Sequence, residues 1–166
     1  MRIAIVTDAW APQVNGVVTT LTRTSETLRG FGHEVSVVHP GAFRTFPCPS
    51  YPEIRLAWRP FSGVARRLEE ISPDRIHIAT EGPLGLAARR YCLRRQLRFT
   101  TSYHTQFPQY LRARAPVPLA VSFAFLRWFH GGAARTMVAT QRQREELRAR
   151  RFENLGAWTR GVDTQL

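Results

Sequence analysis

The first forty residues constrain the fold more than any others in the chain. Arg-Ile-Ala-Ile-Val-Thr at positions 2–7 is a short apolar run ended by the polar Asp8, the form of a strand buried on both faces of a parallel sheet. A loop runs from Asp8 to Gly16. From Val17 the apolar spacing becomes helical: Val18, Leu21, Ser25 and Leu28 share one face, and Gly30 and Gly32 supply stop signals. His33–His39 returns to a strand through Val35, Val37 and Val38. A strand, a helix and a strand in so short a stretch favour a right-handed crossover between parallel strands.

The alternation continues along the chain. Residues 40–53 hold Pro40, Gly41, Pro47, Pro49 and Pro52 and read as a loop, Ile54–Trp58 as a strand and Ser62–Ile71 as a helix. Arg75–Ala79 is a further strand, followed by Thr80-Glu81-Gly82 and a helix opening on Pro83, where proline suits the first turn. Leu84, Ala87, Ala88 and Tyr91 line one face of that helix, and Arg89, Arg90, Arg94 and Arg95 crowd another. Arg98–Tyr103 and Thr136–Ala139 complete the predicted strands, and Gln141–Arg151 reads as a helix capped by Thr140. The expectation is one α/β domain over residues 1–166, with a doubly wound, mainly parallel, Rossmann-like sheet and no internal repeat.

Composition narrows the class. Lys and Arg together number 24, every one an arginine, against 12 Asp and Glu, a net charge of +12. The excess attracts phosphate-bearing substrates, anionic lipid headgroups or nucleic acid, and charge alone does not choose among them. Cys48 and Cys92 form neither a disulfide framework nor a metal-ligand cluster. The start of the chain carries no leader pattern and no apolar run reaches the ~20 residues of a spanning helix, so a cytoplasmic location is expected. The segment at 119–130 is apolar almost all the way round. It reads either as a buried crossover helix or as a segment that dips into a membrane or meets a partner.

In open α/β sheets, ligands bind outside the carboxyl ends of the strands, so three loops come into question. In the first, Asn15-Gly16 immediately precedes a helix. Glycine allows close backbone approach there, and a helix start suits phosphate; an ordinary turn has the same residues. In the second, Thr80-Glu81-Gly82-Pro83-Leu84-Gly85, Glu81 would bind sugar hydroxyls or orient a nucleophile, or merely complement the positive helix terminus. The third, Tyr103-His104-Thr105-Gln106-Phe107, sets a histidine after a strand among groups that stack on polar rings. His33, His39, His77 and His130 occupy less telling positions, and no catalytic triad or metal-ligand spacing emerges.

Together, the Pro12 and Asn15-Gly16-Val17 loop, the Thr80–Gly85 turn, the Ser102-Tyr103-His104-Thr105-Gln106-Phe107 segment and the terminal Arg160-Gly161-Val162-Asp163 resemble family 4 retaining glycosyltransferases. The likeness is greatest to the mannosyltransferase and diacylglycerol glycosyltransferase branch. The resemblance implies the N-terminal, acceptor-side half of a GT-B architecture. Residues 160–166 are then the crossing toward a C-terminal donor-binding domain that has no counterpart in this sequence. By motif position, Asn15 and Gly16 would approach the donor diphosphate, His104 would meet the transferred sugar as the catalytic residue, and Asp8 and Glu81 would lie on the acceptor side. Arg160, Gly161, Val162 and Asp163 would form the interdomain crossing.

The expected activity is transfer of a hexose, mannose or glucose in type, from a nucleotide-diphosphate sugar to a lipid or glycan acceptor. The chain alone is expected to be inactive. The resemblance implies a nucleotide-sugar co-substrate but no metal or other cofactor. Peripheral binding to anionic membrane on its inner face is the further partner expected, through Arg66, Arg67, Arg89, Arg90, Arg94, Arg95 and Arg98 with Phe123, Phe125, Trp128 and Phe129. The rival reading is a stand-alone basic module for membrane or nucleic acid; no nucleic-acid-binding signature supports the second partner.

Overall fold

A computed structural model describes residues 1–48, 51–104 and 118–159, with the backbone alone of 51–53. The described elements run β1 (Arg2–Val6), α1 (Gly16–Gly30), β2 (Glu34–Val38), a 3₁₀ turn (Pro40–Ala42), β3 (Thr45–Cys48), β4 (Tyr51–Ala57), α2 (Phe61–Ile71), β5 (Arg75–Ile78), α3 (Pro83–Arg94), β6 (Phe99–Tyr103), α4 (Leu119–Gly131), β7 (Arg135–Val138), α5 (Gln141–Ala149) and β8 (Leu155–Ala157). Six strands form one sheet in the order β2-β1-β5-β6-β7-β8, and every pairing within it is parallel. This is the Rossmann-like arrangement that the strand–helix alternation predicts.

Alternation along each strand divides the core between two faces. Ala4 and Val6 of β1 pack with Ile76, Ile78 and Phe99 under α2 and α3. Tyr103, Val138 and Leu155 extend that side under α4 and α5, meeting Phe123, Leu126 and Leu147. Ile3, Ile5 and Val35 face the other way and are covered by Leu21 of α1. Helices therefore lie on both faces.

The helix starts are chemically explicit. Asn15 Oδ1 accepts the Val17 and Val18 N–H groups at 3.0 Å each, and Thr140 Oγ1 accepts from Gln143 at 3.2 Å, both satisfying donors that a helix leaves unpaired. At α3 the capping residue is Gly82, which has no side chain to do this, and a residue from another strand takes its place.

Two expectations are corrected, one strand is added to them, and one open choice is decided. The proline-rich stretch from 40 is not simply a loop: β3 and β4 pair antiparallel in a separate two-stranded sheet, as proline tolerates at sheet edges. β8, too short to carry a periodic signal, closes the parallel sheet beside β7. Arg89 is buried: its Nε donates to Phe129 O at 3.0 Å and its Nη2 to Trp128 O at 2.8 Å, so it caps the end of α4. The apolar segment turns Phe123, Leu126 and Phe129 inward, making it the buried crossover helix, with Val121 and Trp128 left exposed at 57% and 54%.

Candidate functional site

The sheet order reverses direction at β1, which lies between β2 and β5. The loops that leave β1 and β5 therefore part from one another, and the crevice opens at their carboxyl ends. The Asp8–Gly16 loop lines one side of it and the Thr80–Gly85 turn the other.

Asp8 ties the two together. Its Oδ1 accepts the Leu84 N–H at 2.9 Å, and its Oδ2 accepts the Gly85 N–H at 3.3 Å and the Thr80 hydroxyl at 2.8 Å. The Asp8 N–H donates back to Thr80 Oγ1 at 2.7 Å. A carboxylate from β1 thus occupies the positive end of α3. Burial pushes its pKa up to about 6, against the pull of the Leu84, Thr80 and Gly85 hydrogen bonds, and the Glu81 charge adds to the rise.

The glycines of the turn are close-approach positions. A Cβ at Gly82 would stand 2.5 Å from the Asp8 carboxyl group, and one at Gly85 only 1.9 Å from the Thr80 carbonyl oxygen. By contrast, nothing lies within 4 Å of a Cβ built at Gly16. The first turn of α1 is open on that side, as a phosphate approaching backbone N–H groups requires. A depression of about 440 Å³ opens nearby along α1, lined by Gln13, Val14, Val18, Thr19, Thr22, Arg23 and Glu26. None of the strand-end residues Asp8, Glu81 or His104 lines it, so the site is built from the strand ends.

Glu81 points away from the helix terminus that Asp8 occupies. Its Oε1 lies 3.2 Å from His130 Nε2, in a pair whose side chains are 9% and 0% exposed. His104 follows β6 and sets its ring 5.4 Å from that of Trp158, which lies just beyond β8. Trp158 also meets the His77 ring edge-on at 5.6 Å. His77 is held by Thr100 Oγ1 on Nδ1 at 2.8 Å and by Ser102 Oγ on Nε2 at 2.6 Å. Burial, with a smaller contribution from the His104 charge, lowers its pKa to about 3, so it is neutral at ordinary pH.

Asn15, Gly16, Asp8, Glu81 and His104 therefore all stand at the carboxyl edge of the sheet. Arg160, Gly161, Val162 and Asp163, and the Thr105-Gln106-Phe107 continuation, lie outside the described residues. Two residues at this edge escape sequence reading. Trp158 follows a strand too short to be recognised, and His130 looks like the polar end of an apolar helix. Among the described residues, no group of three or more His, Cys, Asp or Glu is placed to hold a metal ion, and no helix is long and apolar enough to cross a membrane.

Comparison with known proteins gives a consistent picture. The model of Glycosyltransferase Family 4 matches residues 14–166. A GDP-mannose-dependent alpha-mannosyltransferase of Corynebacterium glutamicum is 29% identical over 99% of this chain and 44% of its own length. A protein of the same description from Mycobacterium tuberculosis is 28% identical over 99% of this chain and 48% of its own length. An alpha-monoglucosyldiacylglycerol synthase of Streptococcus pneumoniae is 30% identical over 67% of this chain and 28% of its own length. The chain spans less than half the length of these curated relatives.

Proposed function

The chain belongs to glycosyltransferase family 4, and on that footing we propose that it forms the acceptor-side wall of a retaining enzyme that moves a hexose from a nucleotide-diphosphate sugar to a lipid or glycan acceptor. The observation that carries this reading is the alignment of 99% of the chain with GDP-mannose-dependent mannosyltransferases. Those relatives favour GDP-mannose as donor, and the glucolipid synthase favours a lipid acceptor.

The roles follow from the charges that move. Glycosyl transfer builds positive charge on the sugar and negative charge on the departing diphosphate, so fixed N–H donors at the phosphate stabilise the transition state. The Gly16 turn supplies those donors, and Asn15 holds the turn in shape through its cap. His104 contacts the transferred sugar, backed by Trp158. Asp8 and Glu81 stand on the acceptor side. The reading assigns no metal or organic cofactor.

Transfer needs both reactants held in one geometry, which is worth on the order of 7–11 kcal/mol; these residues make one wall of that site. We therefore expect the 166-residue chain to touch the donor diphosphate only weakly and not to turn it over. The reading also places the protein against the cytoplasmic face of an anionic membrane. What supports this is the exposure of Arg66, Arg67, Arg90 and Arg94 on α2 and α3, of Arg98 after α3, and of Trp58 and Phe61, with the Arg90 guanidinium 5.3 Å from the Phe61 ring.

The test is an amide-resolved titration of the chain with GDP-mannose, UDP-glucose and GDP. Shifts centred on Gly16 and Val17 are expected. Their absence at millimolar nucleotide, or robust sugar transfer by the chain alone, would sink the reading. In an enzyme that includes a second wall, His104→Ala is expected to lower turnover at least a hundredfold with little change in melting temperature.

A further inference from the structure

His130 closes α4, yet it belongs to a buried chain of polar groups whose proton directions can be deduced. Asn154 Nδ2 donates to the backbone oxygens of His130 at 2.8 Å and Ala133 at 2.7 Å, which orients its amide and leaves Oδ1 as an acceptor only. Thr136 Oγ1 donates to that Oδ1 at 3.3 Å. Its one proton is then committed, so its oxygen accepts from Thr101 Oγ1 at 3.1 Å. Thr101 is committed in turn and accepts from His130 Nδ1 at 2.9 Å. Nδ1 therefore carries a proton.

A neutral imidazole has only that one N–H. Its Nε2 would then present a bare lone pair to Glu81 Oε1, 3.2 Å away. Both atoms are buried, and neither makes a hydrogen bond among the described residues. Two buried acceptors set against one another are strongly unfavourable. A second proton between them removes the conflict, whether as imidazolium and carboxylate or as neutral imidazole and carboxylic acid. The site suits it: His130 lies in the last turn of α4, where the helix favours positive charge, and Phe129 meets its ring edge-on at 5.1 Å.

We propose that Glu81 and His130 form a buried pair that together hold one further proton, on Nε2 or on Oε1, and that His130 is the positioning residue that fixes the Glu81 carboxyl group at the carboxyl end of β5, leaving Oε2 to accept a hydroxyl of a polyol or sugar acceptor. The acceptor-facing part rests on the glycosyltransferase reading; the proton count does not. Neutral as a unit, the pair stands beside the Asp8 carboxyl group without adding a second unscreened charge to the crevice.

Long-range ¹H–¹⁵N spectra of histidine-labelled chain read the two ring nitrogens directly. Expected for His130 is a protonated Nδ1 together with a protonated or proton-sharing Nε2. In Glu81→Gln the amide NH₂ can donate to Nε2, so the ring should revert to the neutral Nδ1–H tautomer. A neutral Nε2–H tautomer in the unsubstituted chain, or an Nε2 shift identical in both proteins, would overturn the pair. The unsubstituted spectrum decides this even if the variant fails to fold. For the acceptor-facing part, methyl α-D-mannopyranoside is titrated while the Glu81 side-chain carboxyl ¹³C is followed. A shift there, and binding weakened about tenfold in Glu81→Gln, are expected. An unmoved resonance or equal binding overturns that role. Glu81→Gln leaves the Gly16 turn untouched, so failure here and failure of nucleotide binding are separate results.

Discussion

The Asp8 carboxylate at the end of β1 accepts the backbone N–H of Leu84 at the start of α3, 2.9 Å away and 76 residues along the chain. The same group holds Thr80 and Gly85. One side chain thus caps a helix that lacks a cap of its own and pins the two loops that frame the crevice. A carboxylate offers about four acceptor positions, and three hydrogen bonds already fall on this one. Asp8 therefore supports the site first and has little capacity left for a substrate hydroxyl.

Acid titration should expose two opposed groups. Asp8 has a pKa of about 6 in the fold against an ordinary 3.8, so between those values the folded state holds the extra proton and stability falls as pH rises. His77 has the reverse displacement, about 3 in the fold against 6.5; there the unfolded state holds the extra proton and stability rises with pH. At roughly 1.4 kcal/mol per unit of displacement, the two nearly cancel between about pH 4 and 6. Asp8→Asn should unmask the histidine, so that urea midpoints climb steeply from pH 4 to 6.5. A variant whose profile stays flat there would contradict this assignment.

Glycine substitutions should sort by the space measured around them. Gly85→Ala drives a methyl group into the Thr80 carbonyl and is expected to cost about 3 kcal/mol or to prevent folding. Gly16→Ala meets open space at a helical position, where stability should be unchanged or gain up to about 1 kcal/mol. Its effect should appear instead as weaker GDP-mannose binding. Thermal melts of both variants, with nucleotide titration of the second, check the contrast.

Two adjacent arginines should behave differently. Arg89 stacks 3.9 Å over the Trp128 ring while donating to two carbonyl oxygens at the end of α4. Arg89→Ala leaves those acceptors without their donor and is expected to destabilise by about 3 kcal/mol. Arg90 is exposed, and Arg90→Ala should stay within about 0.5 kcal/mol of the parent. Equal losses in urea denaturation would refute the capping role.

Vesicle flotation tests the membrane face. Anionic vesicles should carry the chain at low salt and release it as salt rises, since the screening length falls from about 10 Å at 0.1 M to 3 Å at 1 M. Each basic residue contributes at most about 1 kcal/mol, so Arg66→Glu with Arg94→Glu should abolish flotation. A blue shift of emission on binding should survive Trp128→Phe and vanish in Trp58→Phe. The opposite pattern would move the contact to α4. Binding to RNA that outlasts vesicle binding in the same salt series would favour the nucleic-acid alternative.

The parallel sheet and the loops that could carry chemistry were legible because apolar period and helix-start residues are local. Val18, Leu21 and Ser25 announce the buried stripe of α1 through their spacing alone. Sequence groups Arg89 with Arg90, Arg94 and Arg95, which are solvated, whereas its partners Trp128 and Phe129 come from another helix. β8 carries no sequence signal because three residues show no period; its strand character exists only through pairing with β7.

The residue types at the strand ends follow from the order of amino acids alone. Which of them are free for a substrate does not, since hydrogen-bond capacity is spent on partners far along the chain. Asp8 looks like a ligand until Thr80, Leu84 and Gly85 take up its oxygens. His130 looks like a helix terminus until Thr101 and Glu81 close on its two nitrogens. Burial raises the cost of every unpaired polar atom, and only packing reveals which atoms are buried together.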